Sequence, residues 1–260
     1  MQRDNNNISI AFIGSGNVAT KLAISLFQKG VNIAEIYSRN MLNSDKLAKL
    51  VKAKSIDNIS QISNNTDFII ISISDNALKS IDLSKLPKQA LICHTSGSVD
   101  MEILNLHTNY GIFYPLQTFS KDAELDISEV PFCIEANNEV NTERLISLAG
   151  LLSNNVSRVN SVERAKMHLA AVFTCNFTNA MYSIAEDLMK ESGLSFDYLR
   201  PLIKETANKA FHHSPKEIQT GPAVRNDRNI IDKHILDLQN KEDYANIYNT
   251  MSELIYKMNK

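Results

Sequence analysis

The sequence shows no excess of positive charge. Its 260 residues include 27 Lys and Arg against 29 Asp and Glu, and no basic tract stands out. Domains that bind nucleic acid usually carry a strong basic excess, so we expect no nucleic-acid partner. Long apolar runs are also missing, since the apolar stretches present are too short and interrupted to span a bilayer. The polar start MQRDNNN lacks the apolar core of a signal peptide, and together these features predict a cytoplasmic protein without a membrane partner.

Cysteine is scarce as well. The three cysteines, Cys93, Cys133 and Cys175, are far apart, and none belongs to a C-x-x-C pair. This usage is typical of buried thiols in a reducing compartment rather than of a disulfide framework. His168 and Cys175 share one predicted helical stripe, but two ligands do not make a zinc site, so we expect no metal.

A glycine turn between a strand and a helix opens the chain. An apolar run at 8–13 leads through this turn into an amphipathic helical pattern at 18–28. In such turns the first glycine allows the bend, the second lets the backbone approach a pyrophosphate, and free helical N–H groups face the anion. The alternative, a glycine turn with a purely structural role, is disfavoured by the strand–helix context. The predicted pyrophosphate site comprises Gly14, Ser15, Gly16, Asn17 and Val18.

Short apolar runs alternate with helical patterns over residues 1–159. Strands that alternate with helices indicate βαβ units and a doubly wound, mostly parallel sheet of the α/β class. Segment 68–73 shows no apolar–polar alternation, which is typical of a strand covered on both faces. The candidate strands are 8–13, 32–37, 68–73, 90–94, 111–114, 132–135 and 157–159, and the candidate helices are 18–28, 44–51, 101–106 and 141–152.

The pattern changes near residue 160, after which no convincing strand is found. Ser161-Val-Glu163 is typical of a helix cap, and a long helix is predicted over 162–192, ended by Gly193. Pro201 is acceptable only near the first turn of a helix or at a kink. We therefore predict a dinucleotide-binding domain over 1–159 and an all-helical domain over 160–260, with further helices at 196–211, 229–238 and 243–258.

The end of the second predicted strand bears on the choice of dinucleotide. Sites that prefer NAD usually place an acidic residue about 20 residues after the glycine turn, where it holds the ribose 2′-hydroxyl. Here Ser38 and Arg39 occupy that place, while Glu35 lies inside the strand. An arginine can pair with a 2′-phosphate that a carboxylate would repel. This arrangement favours NADP as the cofactor, the alternative being an arginine that is simply exposed at a strand end.

Two further strand ends carry polar residues, and ligands of open α/β sheets bind at such ends. After the strand at 68–73, Ser74 and Asp75 are candidate cofactor contacts, with a helix cap the favoured alternative for Asp75. After the next strand comes the cluster H-T-S-G-S, at the place expected for the nicotinamide. Thr95 and Ser96 are predicted cofactor contacts and His94 a catalytic candidate, although a helix cap explains part of the cluster equally well.

Six motifs resemble those of a known family, in the same order along the chain. That family combines a Rossmann-like domain with the DUF2520 domain and is similar to F420-dependent NADP oxidoreductases, pyrroline-5-carboxylate reductase and 6-phosphogluconate dehydrogenase-like enzymes. The resemblance implies a Rossmann domain, NADP-dependent oxidoreductase activity, and a helical domain that commonly dimerises, so a homodimer is expected. Nothing in the sequence indicates a deazaflavin site. The motifs are Gly14-Ser-Gly-Asn-Val-Ala19, Ser38-Arg39-Asn40, His94-Thr-Ser-Gly97, Tyr114-Pro-Leu-Gln-Thr-Phe119, Asn176-Phe-Thr-Asn179 and Gln219-Thr-Gly-Pro222.

The predicted helix after residue 160 carries polar residues on an otherwise apolar stripe. His168, Cys175 and Asn179 are spaced i, i+7 and i+11, and Asn176 lies on the flank. Because buried polar groups need partners, these residues either face a cleft and hold a substrate carbonyl or imine, or form a domain contact or dimer seam. His168 and Asn176 are catalytic candidates, whereas Lys166 is interpreted as a solvated lysine.

The turn at Gly221-Pro222 is the other candidate for substrate contact. It would let Arg225 project rigidly and clamp a substrate carboxylate with two hydrogen bonds. In the alternative interpretation, Asp227 caps the following helix and Arg225 pairs with it.

These observations predict hydride transfer between NADP(H) and a small carbonyl or imine substrate at a cleft between the two domains. His94, His168 and Asn176 would polarise the substrate and Arg225 would anchor it. The alternative is a dinucleotide-binding sensor or scaffold without turnover, which the lack of an unambiguous acid–base pair keeps open. A third hypothesis, an enzyme of this fold that binds no dinucleotide, is distinguished by an NADPH titration.

Overall fold

The fold was determined as a computed structural model that describes residues 8–120 and 125–260. The polar segment 1–7, from which the absence of a signal peptide was predicted, lies outside the described residues. The chain divides into two compact units, one ending at Cys175 and one spanning Asn176–Lys260. The first unit therefore includes the start of the helical region, and the domain boundary at residue 160 stays a prediction.

An eight-stranded sheet forms the centre of the first unit. Its order is β3-β2-β1-β4-β5-β6-β7-β8, and every neighbouring pair is parallel except β6 and β7. The doubly wound, mostly parallel sheet predicted from the sequence is therefore confirmed. The strands are β1 Ser9–Ile13, β2 Asn32–Tyr37, β3 Lys54–Ile56, β4 Phe68–Ile71, β5 Leu91–His94, β6 Tyr110–Pro115, β7 Phe132–Ala136 and β8 Val156–Arg158.

Strand β4 shows why the sheet is covered on both faces. All four of its residues are buried, as the absence of alternation predicted. Alternate β4 residues join the two large apolar clusters, with Ile70 in one and Ile69 and Ile71 in the other. The first unit packs five α-helices with this sheet: α1 Asn17–Gln28, α2 Met41–Val51, α3 Asp75–Ser80, α4 Glu139–Gly150 and α5 Ser161–Ala171.

The order of the strands fixes where a ligand can bind. Strand β1 lies between β2 and β4, so the chain leaves β1 on one side for β2 and later returns on the other side with β4. This reversal opens a crevice beyond the carboxyl ends of β1 and β4, which is the usual ligand position in open α/β sheets. The glycine turn follows β1 directly.

The helical region begins one residue earlier than its predicted cap. Asn160, not Ser161, is the N-cap of α5, because its side chain accepts a hydrogen bond from the Glu163 N–H, and the Asn160 N–H donates one to the Glu163 carboxylate. The single long helix predicted over 162–192 is divided by a π-helix at Val172–Phe177 and continues as α6 Thr178–Glu191. It ends before Gly193, which has a positive φ of 68° as predicted for a C-terminal glycine.

The second unit is all helical, because no strand occurs among the described residues after β8. It contains α6, α7 Arg200–His212, α8 Arg228–Asp237 and α9 Glu242–Met258, with Pro201 in the first turn of α7 as expected. Within the described ranges, none of the helices is long and apolar enough to cross a membrane. Few of this unit's side chains are buried: Ala223, Ile231 and Ser252.

Candidate functional site

A cavity of about 960 Å³ lies at the carboxyl ends of β1, β2, β4, β5 and β6. Each strand delivers polar or small residues to its wall at the point where the strand ends. All eleven residues predicted to contact the cofactor line this one cavity: Gly14, Ser15, Gly16, Asn17, Val18, Ser38, Arg39, Ser74, Asp75, Thr95 and Ser96. Of the four predicted catalytic residues, His168 lines it.

The two glycines of the turn have different reasons to be glycine. Gly14 has a φ of +123°, and a Cβ atom there would lie 2.0 Å from the carbonyl oxygen of Ser72 on the neighbouring strand end. A Cβ atom on Gly16 would meet no protein atom within 4 Å. Gly14 is therefore required by the fold, whereas Gly16 leaves its backbone open to the cavity.

The start of α1 fits an anionic group. Gly16 is the N-cap of this 12-residue helix, so no side chain accepts hydrogen bonds from its first N–H groups, and its first turn has no acidic residue. Uncapped N–H groups and the helix dipole together favour a phosphate. The open backbone at Gly16 leaves room for that phosphate, so the residues present fit a dinucleotide pyrophosphate.

The β2 end of the cavity carries its positive charge. Arg39 is exposed beside Ser38, and Asn40 caps α2 by accepting a hydrogen bond from the Leu42 N–H at 3.0 Å. Asn40 and Asn43 also line the cavity, although neither was predicted as a cofactor contact. Glu35 is buried in β2 away from the lining, where burial raises its pKa above the ordinary value. A basic group surrounded by amides at this end fits a 2′-phosphate.

Asp75 does not act as the side-chain cap that the sequence favoured. The N-cap of α3 is Ser74, and it makes no side-chain cap hydrogen bond. The Asp75 carboxylate instead accepts a hydrogen bond from the Ser98 hydroxyl at 2.5 Å. Burial alone would raise the pKa of Asp75, but hydrogen bonds from Ser98 and Ser96 and the positive potential of His168 bring it below the ordinary value. Asp75 therefore presents a carboxylate to the cavity.

His94 is fully buried and lies behind the cavity wall. Its Nδ1 accepts a hydrogen bond from the Ser96 N–H at 3.2 Å, and its Nε2 lies 3.4 Å from the carbonyl oxygen of Asp100. Burial lowers the pKa of His94 to about 4, which keeps the ring neutral. These contacts orient the loop that brings Thr95 and Ser96 to the lining.

His168 and Tyr114 meet on the far wall of the cavity. Tyr114 comes from β6 and His168 from α5, and the Tyr114 hydroxyl lies 3.1 Å from Nδ1 of His168. Gly97 passes so close to both rings that a Cβ atom there would lie 2.5 Å from that Nδ1. Tyr114 was quoted in a motif but not predicted as a site residue. Ligands bind at the carboxyl ends of parallel strands, and applying this rule to β6 would have identified Tyr114 as a site residue.

A buried arginine fixes the helix that carries His168. Arg164 is 1% exposed and forms an ion pair with Glu135 of β7 at 2.8 Å. It also donates a hydrogen bond to the carbonyl oxygen of Val99 at 2.5 Å. Arg164 lies four residues, about one helical turn, before His168, so the two side chains share one face of α5. Arg164 was not predicted as a site residue, since a single arginine in a helical pattern normally indicates a solvated face.

Asn176 and Arg225 belong to the second unit. Asn176 is exposed in the π-helix, and Arg225 is exposed in the turn after Gly221, where the Asp227 N–H donates to the Pro222 carbonyl oxygen. Asp227 is the N-cap residue of α8, as the alternative interpretation predicted, but its side chain makes no cap hydrogen bond.

Comparison with known proteins identifies the family. Residues 9–94 match the model described as "NADP oxidoreductase coenzyme F420-dependent", and residues 130–255 match the "Domain of unknown function (DUF2520)". A provisionally assigned NADP oxidoreductase from Bacteroides fragilis is 40% identical over 98% of this chain and 100% of its own, with a TM-score of 0.92. The chain belongs to this family of NADP oxidoreductases.

Two further proteins are similar to this chain, one in fold and one in part of its sequence. An imine reductase from Myxococcus stipitatus, solved in complex with NADP+, is 13% identical over 96% of this chain and 93% of its own, with a TM-score of 0.67. A glycerol-3-phosphate dehydrogenase from Clostridium botulinum is 29% identical over 107 residues, which cover 35% of this chain. The match spans only 32% of that curated relative's length. The predicted resemblance to Rossmann-like DUF2520 oxidoreductases is confirmed.

Proposed function

We propose that this member of the NADP oxidoreductase family transfers a hydride between NADP(H) and a small carbonyl or imine substrate at the Tyr114 end of the cavity. The observation that carries the proposal is the collection of all eleven predicted cofactor contacts along one wall, with a tyrosine–histidine pair beyond them. Bound NADPH would supply the hydride chemistry, while the protein supplies position, orientation and a proton.

The length of the cavity supports a dinucleotide. Arg39 follows β2 and Tyr114 lies on β6, four strand positions apart in the sheet. At 4.7–4.9 Å between neighbouring strands, this separation is about 19 Å, which suits an extended dinucleotide. The N-terminus of α1 would then hold the pyrophosphate, and Arg39 the 2′-phosphate.

Hydrogen bonds fix the loop after β5, which carries Thr95 and Ser96. Thr95 donates a hydrogen bond to the Ser72 hydroxyl at 3.2 Å, and Ser96 accepts hydrogen bonds from the N–H groups of Ser98 and Val99. These bonds fix the two predicted cofactor contacts on the loop after β5. His94 acts in this proposal as a positioning residue beneath that loop. The sequence-based assignment of Asn176 and Arg225 to substrate contact stays a proposal.

Replacement of Arg39 tests the choice of NADP. Arg39→Ala should weaken NADPH binding about 10- to 150-fold, because a charge-assisted hydrogen bond contributes about 1.5–3 kcal/mol, and should leave NADH binding nearly unchanged. Nicotinamide fluorescence titrations of the apo protein give both dissociation constants. Lys49→Ala removes an exposed charge from α2 outside the cavity lining and serves as the matched control. Equal losses for NADPH and NADH would contradict the 2′-phosphate assignment.

Turnover separates an enzyme from a sensor. The wild-type protein should oxidise NADPH with at least one member of a panel of small cyclic imines and 2-oxo acids. Tight NADPH binding without turnover of any member would instead support the non-catalytic sensor. Binding of neither NADPH nor NADH would remove the dinucleotide proposal.

We further propose that a second copy of this chain covers the apolar stripe of α9. Ile247, Met251, Leu254 and Met258 are exposed and spaced i, i+4, i+7 and i+11, so they share one face of the helix. Few side chains of this unit are buried, and so large an apolar stripe is typical of a contact surface. A homodimer is the simplest assembly that buries it.

A charge placed on the stripe tests the homodimer. Met251→Glu should convert the dimer to a monomer, because dimerisation would bury an unpaired carboxylate. Light scattering coupled to size exclusion measures the mass directly. Asn246→Glu, at an exposed position of α9 off the stripe, is the control and should stay dimeric. A wild-type protein that is monomeric at every concentration would refute this assembly.

A further inference from the structure

We propose that the Tyr114 hydroxyl is the proton donor to the reduced substrate atom and that His168 resupplies its proton. This inference rests on the proposed oxidoreductase function and names the chain's own acid for it. It is carried by the 3.1 Å contact between the Tyr114 hydroxyl and His168 Nδ1 at the cavity wall.

Strand β6 fixes the position of Tyr114 at the cavity wall. It lies on β6, whose register is fixed on both sides by β5 and β7, so its position does not depend on a loop. The residue is 8% exposed, and it lines the cavity, so its small accessible surface is available to a ligand there. Burial raises the pKa of Tyr114 to about 12, so the group stays protonated at neutral pH.

The position of His168, the other member of the pair, is also fixed by its neighbours. The Arg164 anchor sits one helical turn before it, and the His168 and Tyr114 rings meet edge to face with centroids 6.1 Å apart. Gly97 completes the arrangement, because a Cβ atom there would lie 2.5 Å from His168 Nδ1 and 2.8 Å from Cζ of Tyr114. Only glycine leaves room for the two rings to meet.

The proton moves in two steps, from Tyr114 to the substrate and then from His168 to Tyr114. With NADPH bound as the hydride source for the carbon of the C=N or C=O bond, the Tyr114 hydroxyl would give its proton to the nitrogen or oxygen. The Tyr114 O–H bond breaks while an N–H or O–H bond forms on the substrate. His168, as imidazolium, then passes its Nδ1 proton to the Tyr114 oxygen and becomes neutral, and water returns a proton to its ring. Substrate oxidation runs the same transfers in reverse.

Replacement of either residue tests the pair. With any imine or oxo acid that the wild-type protein reduces, Tyr114→Phe and His168→Asn should each lower kcat about 100-fold, within the range of general acid catalysis. The dissociation constant of NADPH should change less than about threefold, since neither change removes a pyrophosphate or 2′-phosphate contact. The double variant should be no slower than the slower single variant, because residues that act as one unit are not additive.

Gly97 provides a second test without changing either polar group. Gly97→Ala should lower kcat to a similar extent, because the methyl group separates the two rings, while Gly150→Ala should not. Gly150 is the matched control, since a Cβ atom there would meet nothing within 4 Å. Loss of folded protein in Gly97→Ala, seen by circular dichroism, would leave the Tyr114→Phe result to decide.

A spectroscopic measurement examines the pair without substrate. In protein labelled with ¹³Cζ-tyrosine, the resonance that Tyr114→Phe removes should shift when His168 is replaced by Asn. An unmoved resonance, or a Tyr114→Phe variant with at least half of the wild-type kcat, would overturn the inference and leave the proposed function standing. A wild-type protein that turns over no member of the panel would overturn both.

Discussion

The two units of the chain differ in how they are held together. In the first unit, apolar residues from both faces of the sheet form two large clusters and one small one, and most of them are fully buried. The described part of the second unit buries Ala223, Ile231 and Ser252 and exposes large apolar side chains along α7 and α9. A unit with its own core can shape a rigid cavity, whereas helices with uncovered apolar faces need further contacts for their stability.

Two phenylalanines provide the strongest test of this difference. Phe132→Ala in β7 should lower the free energy of unfolding by about 3–5 kcal/mol, because it leaves a cavity beside Phe113. Phe211→Ala in α7, where the ring is 82% exposed, should change it by less than about 0.5 kcal/mol. Urea unfolding followed by circular dichroism measures both variants. Similar losses would show that the second unit has a core of its own around Phe211.

Two arginines of the first unit, one buried and one exposed, sharpen the comparison. Arg164→Ala should lower the free energy of unfolding by about 3 kcal/mol, because it leaves the Glu135 carboxylate and the Val99 carbonyl group without their buried partner. Arg158→Ala should have little effect, because Arg158 pairs with Glu139 and Glu143 at the exposed surface. Denaturant midpoints of the two variants give the contrast. A small effect for Arg164 would contradict its role as the anchor of α5.

Replacement of the two glycines in the turn should have the smallest effects on stability, and it separates stability from NADPH binding. Gly14→Ala should lower the melting temperature by several degrees, since its positive φ and the Ser72 carbonyl group leave no room for a methyl group. Gly16→Ala should leave the melting temperature of the apo protein nearly unchanged but weaken NADPH binding at least tenfold. Thermal unfolding with and without NADPH separates the two effects. Normal NADPH binding by Gly16→Ala would argue against a pyrophosphate at this turn.

Much of the first unit follows from its sequence. Strand β2 has the predicted bounds, and the order of strands and helices was readable because the apolar runs are continuous. Strand β3 was missed because its three residues, Lys54-Ser-Ile56, are too few to form a pattern. The helix predicted at 101–106 is a shorter 3₁₀-helix, Met101–Leu104. The π-helix after α5 has no sequence signature that period-based reasoning detects.

The site was predicted best where backbone and strand ends define it. The glycine turn and the residues after β1, β2, β4 and β5 all reach the cavity, since parallel strands end at one edge. His94 was harder to interpret, because a polar residue at a strand end can turn inward and support the loop behind the wall. The Tyr114–His168 contact joins residues 54 positions apart, so only the packing of α5 near β6 reveals it.

Both edge strands of the sheet are short, and each carries an exposed charged residue. Strands β3 and β8 contain three residues each, and Lys54 and Arg158 lie exposed at their ends. A short, charged edge offers few free N–H and C=O groups for pairing with another chain. The consequence concerns solubility during expression: replacement of Lys54 and Arg158 by valine should promote edge-to-edge aggregation while leaving the cavity intact.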